Sequence, residues 1–315
     1  MNSIDLQIHS TKSDGAYAPA DLVKMAQGAN IRTIALTDHD TIDGAWEAIV
    51  AGKEQGVQVI PGIEITCAFM EREFHMLGFG IDYHHQELLE RLKEFQEARK
   101  RKTEKIIEKL REAGFRISFE DVLRYAAGTI TRPAIAEAAL KNPENAARLG
   151  GISTIHDFIN EYLVSGKPTY VERRRPVEVK DAIGLIHSAG GVSVWSHPAI
   201  HFNSVRNKAS YGVQGDYKKL EEILKIFIAY DLDGMECFHP DYSEDDAELL
   251  NVLAGKYGLL RTAGSDFHRN DETGKKEGAP ELAYYQTFDF SLDDIVPNLE
   301  AAILRRQTRA QRIES

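Results

Sequence analysis

Ile4-Asp5-Leu6-Gln7-Ile8-His9-Ser10-Thr11-Lys12-Ser13-Asp14-Gly15 is a short, mostly apolar strand followed by a polar loop. Residues two apart on a strand face the same way, so Gln7 and His9 share a face. Gly15 ends the loop and lets Asp14 fold back over the strand end. A single Gln-x-His is equally at home on a solvated strand. Here the pattern recurs in Thr37-Asp38-His39-Asp40, Gly62-Ile63-Glu64, Phe74-His75, Ser196-His197-Pro198 and Gly264-Ser265-Asp266-Phe267-His268. Each stretch sets His, Asp or Glu at the end of a short apolar run, and their repetition points to a metal site.

Outward from that stretch, strands and helices alternate. Pro19 opens a helix that stops near Gly28, and residues 33–37 read as a buried strand ending at Asp38 and His39. A helix through Trp46, Ile49 and Val50 closes at Gly56. Strand 57–60 follows, with Glu64 just beyond Pro61-Gly62, and strand 74–81 carries His75. Repeated βα units predict a parallel sheet or barrel with functional groups at the carboxyl ends of its strands.

From about Gln86 to Glu112 the chain is highly charged, with Leu88, Leu89, Leu92, Phe95, Ile106, Ile107 and Leu110 at helical spacing. Ser118 and Asp121 form a capping-box pattern, and Pro133 fits the first turn of a helix to Leu140. The all-helical stretch to about Tyr162 reads as an insertion. Within it, the basic run Arg99–Lys105 reads as a solvated face.

Alternation resumes after Gly166-Lys167-Pro168. It brings helix 177–187, strand 192–195, helix 217–230, strand 233–238, a helix capped by Ser243 and Asp246, and strand 259–264. Residues 284–288 read as a last strand, and 293–312 as a basic-ended helix. The predicted division is residues 1–82 and 166–290 for the two parts of an α/β barrel, 83–165 for a helical cap and 291–315 for a C-terminal helix.

The 315 residues suffice for one large α/β domain with an insertion or for two ordinary domains. Hydrophobic content of 43% and charged content of 28% are those of a soluble globular protein. A net charge of −11 argues against broad duplex DNA binding, which needs a basic face. A small phosphorylated substrate or a short single strand remains compatible. Two cysteines, Cys67 and Cys237, build no disulfide framework and read as small buried residues. The opening residues lack a signal-peptide pattern and no apolar run is bilayer-long, so a cytoplasmic protein without a membrane partner is expected. No Gly-rich phosphate loop, dinucleotide fingerprint or serine nucleophile elbow is present.

Imidazoles and carboxylates without thiolates suit zinc, manganese or iron. His9, Asp14, His39, Glu64, His75, His197, Asp266 and His268 exceed the needs of one ion and could hold two or three, with Glu64 bridging. Clustered divalent ions suit phosphoester hydrolysis, because they generate hydroxide and clamp the attacking and leaving oxygens.

With the Thr-Asp-His-Asp, Ser-His-Pro and Gly-Ser-Asp-Phe-His motifs in place, the chain resembles the PHP (polymerase and histidinol phosphatase) superfamily over nearly its whole length. That resemblance implies a distorted (β/α)7 barrel around a two- or three-metal site. The insertion between His75 and His197 resembles the branch of nucleoside 3′,5′-bisphosphate phosphatases and 5′-to-3′ exoribonucleases. Carried over by motif, position 7, His9, Glu64 and Asp266 would surround one ion. Glu64, His75 and His197 would hold a second, and Asp14, His39 and His268 a third.

Where the family usually has His-x-His, this chain has Gln7, whose carbonyl oxygen is a weaker ligand for these metals. The Thr-Arg-Pro motif implies a phosphate-binding Arg132 at a helix N-terminus, with Ala134 replacing the family's usual His. Lys167 is a second phosphate-binding candidate, and Arg173, Arg174 and Arg175 read as a solvated run. Glu236, Asp38 and Asp40 are placed to orient ligands, and His201 and His239 stand near strand ends. His84, His85 and His156 read as surface residues, and His187 as a packing residue.

The expected protein is a metal-dependent phosphoesterase using His9, Asp14, His39, Glu64, His197 and Asp266. Its expected substrates are nucleoside 3′,5′-bisphosphates or short 5′-phosphorylated RNA, cleaved by a metal-activated hydroxide. The alternatives are a small-metabolite phosphatase of the histidinol-phosphate type and a metal-binding protein weakened in catalysis by Gln7.

Overall fold

The computed structural model describes residues 2–70, 72–126, 128–171, 177–202, 217–269 and 281–314, with the backbone alone at 201 and 310–314. Arg173, Arg174, Arg175 and the His201 side chain lie outside the described residues. Seven strands form one sheet in the order β1 (Ile4–Ile8), β2 (Thr33–Leu36), β3 (Gln58–Phe69), β4 (Arg72–Phe79), β5 (Val192–Trp195), β6 (Gly234–Phe238) and β7 (Leu260–Ala263). Past β7 the chain returns to β1. Ile8 bridges Phe267, and the His9 N–H donates to the Phe267 carbonyl at 2.9 Å, so the sheet nearly closes into the expected distorted barrel.

The sheet is mixed, which corrects the expectation of a wholly parallel one. β1 to β3 are parallel to one another, as are β5 to β7, while β4 runs against both neighbours. Only residues 70 and 71 separate β3 from β4, and so short a connection can join only antiparallel strands. β3 is also longer than expected and carries Glu64 within it rather than beyond its end. Pro61, which suggested a stop, pairs with Leu36, the last residue of β2, so its missing N–H falls where that ladder ends.

No strand forms over 284–288. Ala283 and Phe288 hold left-handed backbone angles, φ 55° and 47°. Side chains satisfy this backbone instead: Ala283 N–H donates to Asp5, and Asn2 donates to the carbonyls of Ala283 and Tyr285.

Helices α1 (Pro19–Gly28) and α2 (Ala45–Gln55) follow β1 and β2. After β4 comes α3 (Gln86–Glu112), then α4 (Phe119–Leu123) and α5 (Arg132–Lys141). His85 caps α3 by accepting from the Leu88 N–H, and both predicted capping boxes are formed.

Two hydrophobic clusters divide α3 along its length. Leu88, Leu92 and Phe95 pack into the main cluster with the barrel strands, whereas Ile106, Ile107 and Leu110 join a second cluster with Phe115, Ala138 and Phe158. Among the described residues, no helix is long and apolar enough to cross a membrane.

Candidate metal centre

The strand ends converge as their spacing predicts. β1 delivers Gln7 and His9 to one face, and both side chains are fully buried. The following loop folds tightly back on the strand: a Cβ at Gly15 would lie 2.0 Å from the His9 carbonyl oxygen, which only glycine accommodates. This fold-back brings Asp14 Oδ1 to 3.3 Å from His268 Nε2 and 3.9 Å from His9 Nδ1.

Glu64, fully buried in the middle of β3, stands at the centre. Its Oε1 is 2.7 Å from His75 Nδ1 and 3.4 Å from His197 Nε2. Its Oε2 is 3.1 Å from His9 Nε2 and 3.6 Å from His39 Nδ1. Asp266 Oδ1 lies 3.1 Å from His9 Nε2.

Backbone geometry that side chains normally avoid holds three of these positions. Asp40, His197 and Asp266 have φ of 51°, 34° and 52°, in the left-handed region. Each is braced. Asp40 accepts from Thr66 N–H and from Arg99, and the His197 N–H donates to Glu236 Oε2 at 2.9 Å. Next to Asp266, Ser265 donates to Asp5 from both its N–H and its hydroxyl. Asp38 accepts from Ser10 N–H and from the hydroxyls of Ser10 and Ser13, fixing the loop between His9 and Asp14.

The donor set fits divalent ions. His9, Asp14, His39 and His268 form one group whose ligand atoms all lie within 4.8 Å of one another; His39, Glu64 and His75 form a second, and His9, Glu64 and Asp266 a third. Both ring nitrogens of His9, Nδ1 of His39 and of His75, and Oδ1 of Asp14 are buried with no aligned hydrogen-bond partner. Close approaches that miss hydrogen-bond alignment are what ligands aimed at a shared cation produce.

Burial opposes charge on Glu64, but His39, His75 and His197 outweigh it and hold the carboxylate well below its usual range. Burial likewise opposes charge on Asp266, and His268, His239 and His9 outweigh it. Burial pushes His39 down to about 4, which leaves it a neutral imidazole with a lone pair to give.

The cluster opens into a cleft of about 740 Å³ that runs toward the inserted helices and is lined by Arg72, Arg99, Lys102, Arg132 and Tyr170. Arg132 begins α5 and pairs with Glu73 at 2.8 Å. Lys167 pairs instead with Glu161, 2.9 Å away, and is not brought to the cleft. His239, nearly buried, keeps Nε2 3.9 Å from Asp266 Oδ2. Glu73, Ser196 and Arg99 were not singled out from the sequence as site residues. Ser196 lay inside a quoted motif, and Arg99 lay in a charge run read as solvated; its side chain is in fact turned inward onto Asp40 and Thr66.

A family model described as the PHP domain matches residues 5–237. A 5′-3′ exoribonuclease of Haemophilus influenzae is 31% identical over 264 residues, covering 84% of this chain and 89% of that protein. A 3′,5′-nucleoside bisphosphate phosphatase of Chromobacterium violaceum is 29% identical over 290 residues, covering 89% of this chain and 92% of its own. The solved structure of an amidohydrolase from Chromobacterium violaceum, with bound sulfate and no metal, superposes with a TM-score of 0.77 at 27% identity. It covers 96% of this chain and 97% of that one.

Proposed function

This chain belongs to the PHP domain family, and from that premise we propose that it is a metal-dependent phosphoesterase of nucleotides that carry a terminal phosphate. Nucleoside 3′,5′-bisphosphates and short 5′-phosphorylated RNA are the substrates this reading favours. One observation carries it: a His, Asp and Glu cluster with the composition of a multi-ion centre opens into a cleft whose opposite wall is cationic. Such a cleft accepts a substrate with one phosphoester at the cluster and a second anionic group several ångströms away. The names of the relatives, an exoribonuclease and a bisphosphate phosphatase, support the same choice.

In this reading His9, Asp14, His39, Glu64, His75, His197, Asp266 and His268 hold two or three divalent ions, manganese, zinc or iron. When bound, such ions lower the pKa of water and neutralise charge on the phosphoryl oxygens. Glu64 presents one oxygen to each side of the cluster and so fixes the spacing between ligand groups. Arg132, at the cationic wall and the N-terminus of α5, orients a phosphate through its planar guanidinium. Glu73 holds that guanidinium in place. Tyr170 also lines the cleft, where an aromatic ring can stack on a base. The inserted helices act as a cap over the barrel mouth and set the length of substrate admitted.

The test is turnover by manganese-loaded protein of adenosine 3′,5′-bisphosphate and of a short 5′-phosphorylated RNA, each with a chelated control. Metal-dependent release of phosphate or of mononucleotides is expected, and the faster product names the preferred substrate. No turnover of either by protein that demonstrably holds metal would overturn the reading.

A further inference from the structure

Gln7 stands where a ligand of the third group would be expected, and its hydrogen bonds show which end of the amide faces the cluster. Nε2 donates to Glu64 Oε2 at 3.1 Å, to Asp266 Oδ1 at 3.3 Å and to Ser196 Oγ at 3.0 Å. Both carboxylate oxygens can only accept. Ser196 spends its own hydrogen on Glu64 Oε1, 3.2 Å away, so toward Gln7 it too can only accept. Three acceptors therefore surround this end of the amide. A carbonyl oxygen turned into the same place would face two carboxylate oxygens, and the one group able to donate to it, the Ser196 hydroxyl, would have to give up its bond to Glu64.

The same two oxygens, Glu64 Oε2 and Asp266 Oδ1, are those that His9 Nε2 approaches at 3.1 Å. They belong to the third ligand group, His9, Glu64 and Asp266. An ion held there would lie between them, in the space the amide nitrogen fills. The backbone at Gly264 packs directly against the root of this side chain: a Cβ there would come within 2.5 Å of Gln7 Cβ and 2.7 Å of Glu236 Oε1, so only glycine fits beside it.

We propose that the Gln7 amide takes the place of one ion, so that this chain carries two divalent ions rather than three, with Gln7 Nε2 tying Glu64 to Asp266. The inference rests on the reading of the cluster as a metal centre. The two ions fall to Glu64, His75 and His197 on one side and to Asp14, His39 and His268 on the other. The donor does for the two carboxylates what a cation would do, by compensating part of their charge. It cannot supply a Lewis acid there, so the chemistry falls to the remaining pair.

Metal counting tests this without any substrate. Wild-type protein and Gln7→His are stripped with chelator, reloaded with excess manganese, desalted and analysed by elemental mass spectrometry. Two ions per chain are expected in wild type and three in the variant. A crystal of the variant should show an additional anomalous peak between Glu64 and Asp266. Three ions in wild type, or an unchanged count in folded Gln7→His, overturns the proposal. If the variant does not fold, the wild-type count decides alone: two supports the proposal and three overturns it. A wild-type chain that binds neither manganese, zinc nor iron overturns both this inference and the metal-centre reading. Absence of turnover with two ions bound would overturn the nucleotide phosphoesterase reading and leave this inference standing.

Discussion

Arg99 Nε donates to Asp40 Oδ2 at 2.8 Å, joining a helix of the insertion to the residue that follows His39. The link is part of a larger grip. Gln96 donates to the Asp40 carbonyl, Thr129 donates to the His39 carbonyl, and Arg99 reaches Thr66 on β3. Asp40 is fully buried, and removing one partner of such a pair leaves a charge without its cation. Arg99→Met should therefore cost about 3 kcal/mol of stability. Denaturant midpoints of the metal-free proteins measure it, and a change within 0.5 kcal/mol, about what a surface substitution gives, would show that the link is slack.

Arg132→Ala should weaken kcat/KM for a phosphorylated nucleotide roughly 30-fold, the loss expected from a charge-assisted hydrogen bond worth about 2 kcal/mol. Because Glu73 positions this guanidinium, Glu73→Gln should produce a smaller loss in the same direction. Steady-state kinetics of both variants distinguish this from a surface arginine, whose removal would leave kcat/KM unchanged.

Chelation should lower thermal stability, since ions that bind only the folded state stabilise it by about 4 kcal/mol at roughly 1,000 times their dissociation constant. Each ligand group includes at least one imidazole, and magnesium prefers oxygen ligands, so manganese should restore the melting temperature where magnesium at equal concentration restores less. Differential scanning fluorimetry with each ion reads this out.

Far from the centre, Asp233 accepts from Arg306 and Ser193 N–H and pairs with His187 at 2.8 Å. Burial opposes its charge, but His187 and Arg306 outweigh it, so its pKa falls below the ordinary carboxylate value. A lowered pKa in the folded state stabilises above the unfolded value, about 4, and the benefit is lost as pH falls through the folded one. The stability gap between wild type and Asp233→Asn should thus be full at neutral pH and narrow as pH drops below about 4. Urea midpoints across that range check the sign. A gap that widened in acid would contradict it.

The barrel and the meeting of its strand ends were legible because each half-motif, such as Asp38-His39 or Asp266-Phe267-His268, ends a short apolar run. The reversal at β4 was harder to see, although the shortness of the connection at 70 and 71 carried the signal. The helical period of α3 was read only through its apolar positions. Between Phe95 and Ile106 the inward stripe continues as Gln96, Arg99 and Thr103, polar residues that grip the barrel loops or line the cleft. A stripe that changes from apolar to polar without changing phase marks an element passing from a core to a site. Composition could not place Lys167 either, because its partner Glu161 lies outside any motif.

The reversed strand has one more consequence. Since β4 descends, its last residue, Phe79, pairs with the first residue of β5, at the rim opposite the ligand cluster. The inserted segment thus departs from the wrong end of the barrel, and α3 must carry it back. Its 27 residues span about 40 Å, along which it passes from the main hydrophobic cluster, past the loop after His39, to the second cluster. The helix works as a measuring rod. Removing two residues from its middle would turn everything beyond by about 200°, whereas adding seven would keep the facing and shift the second hydrophobic cluster by about 10 Å. The distance between the two clusters is therefore tunable in steps of two helical turns, and relatives with longer or shorter helices at this position are the place to look for that step.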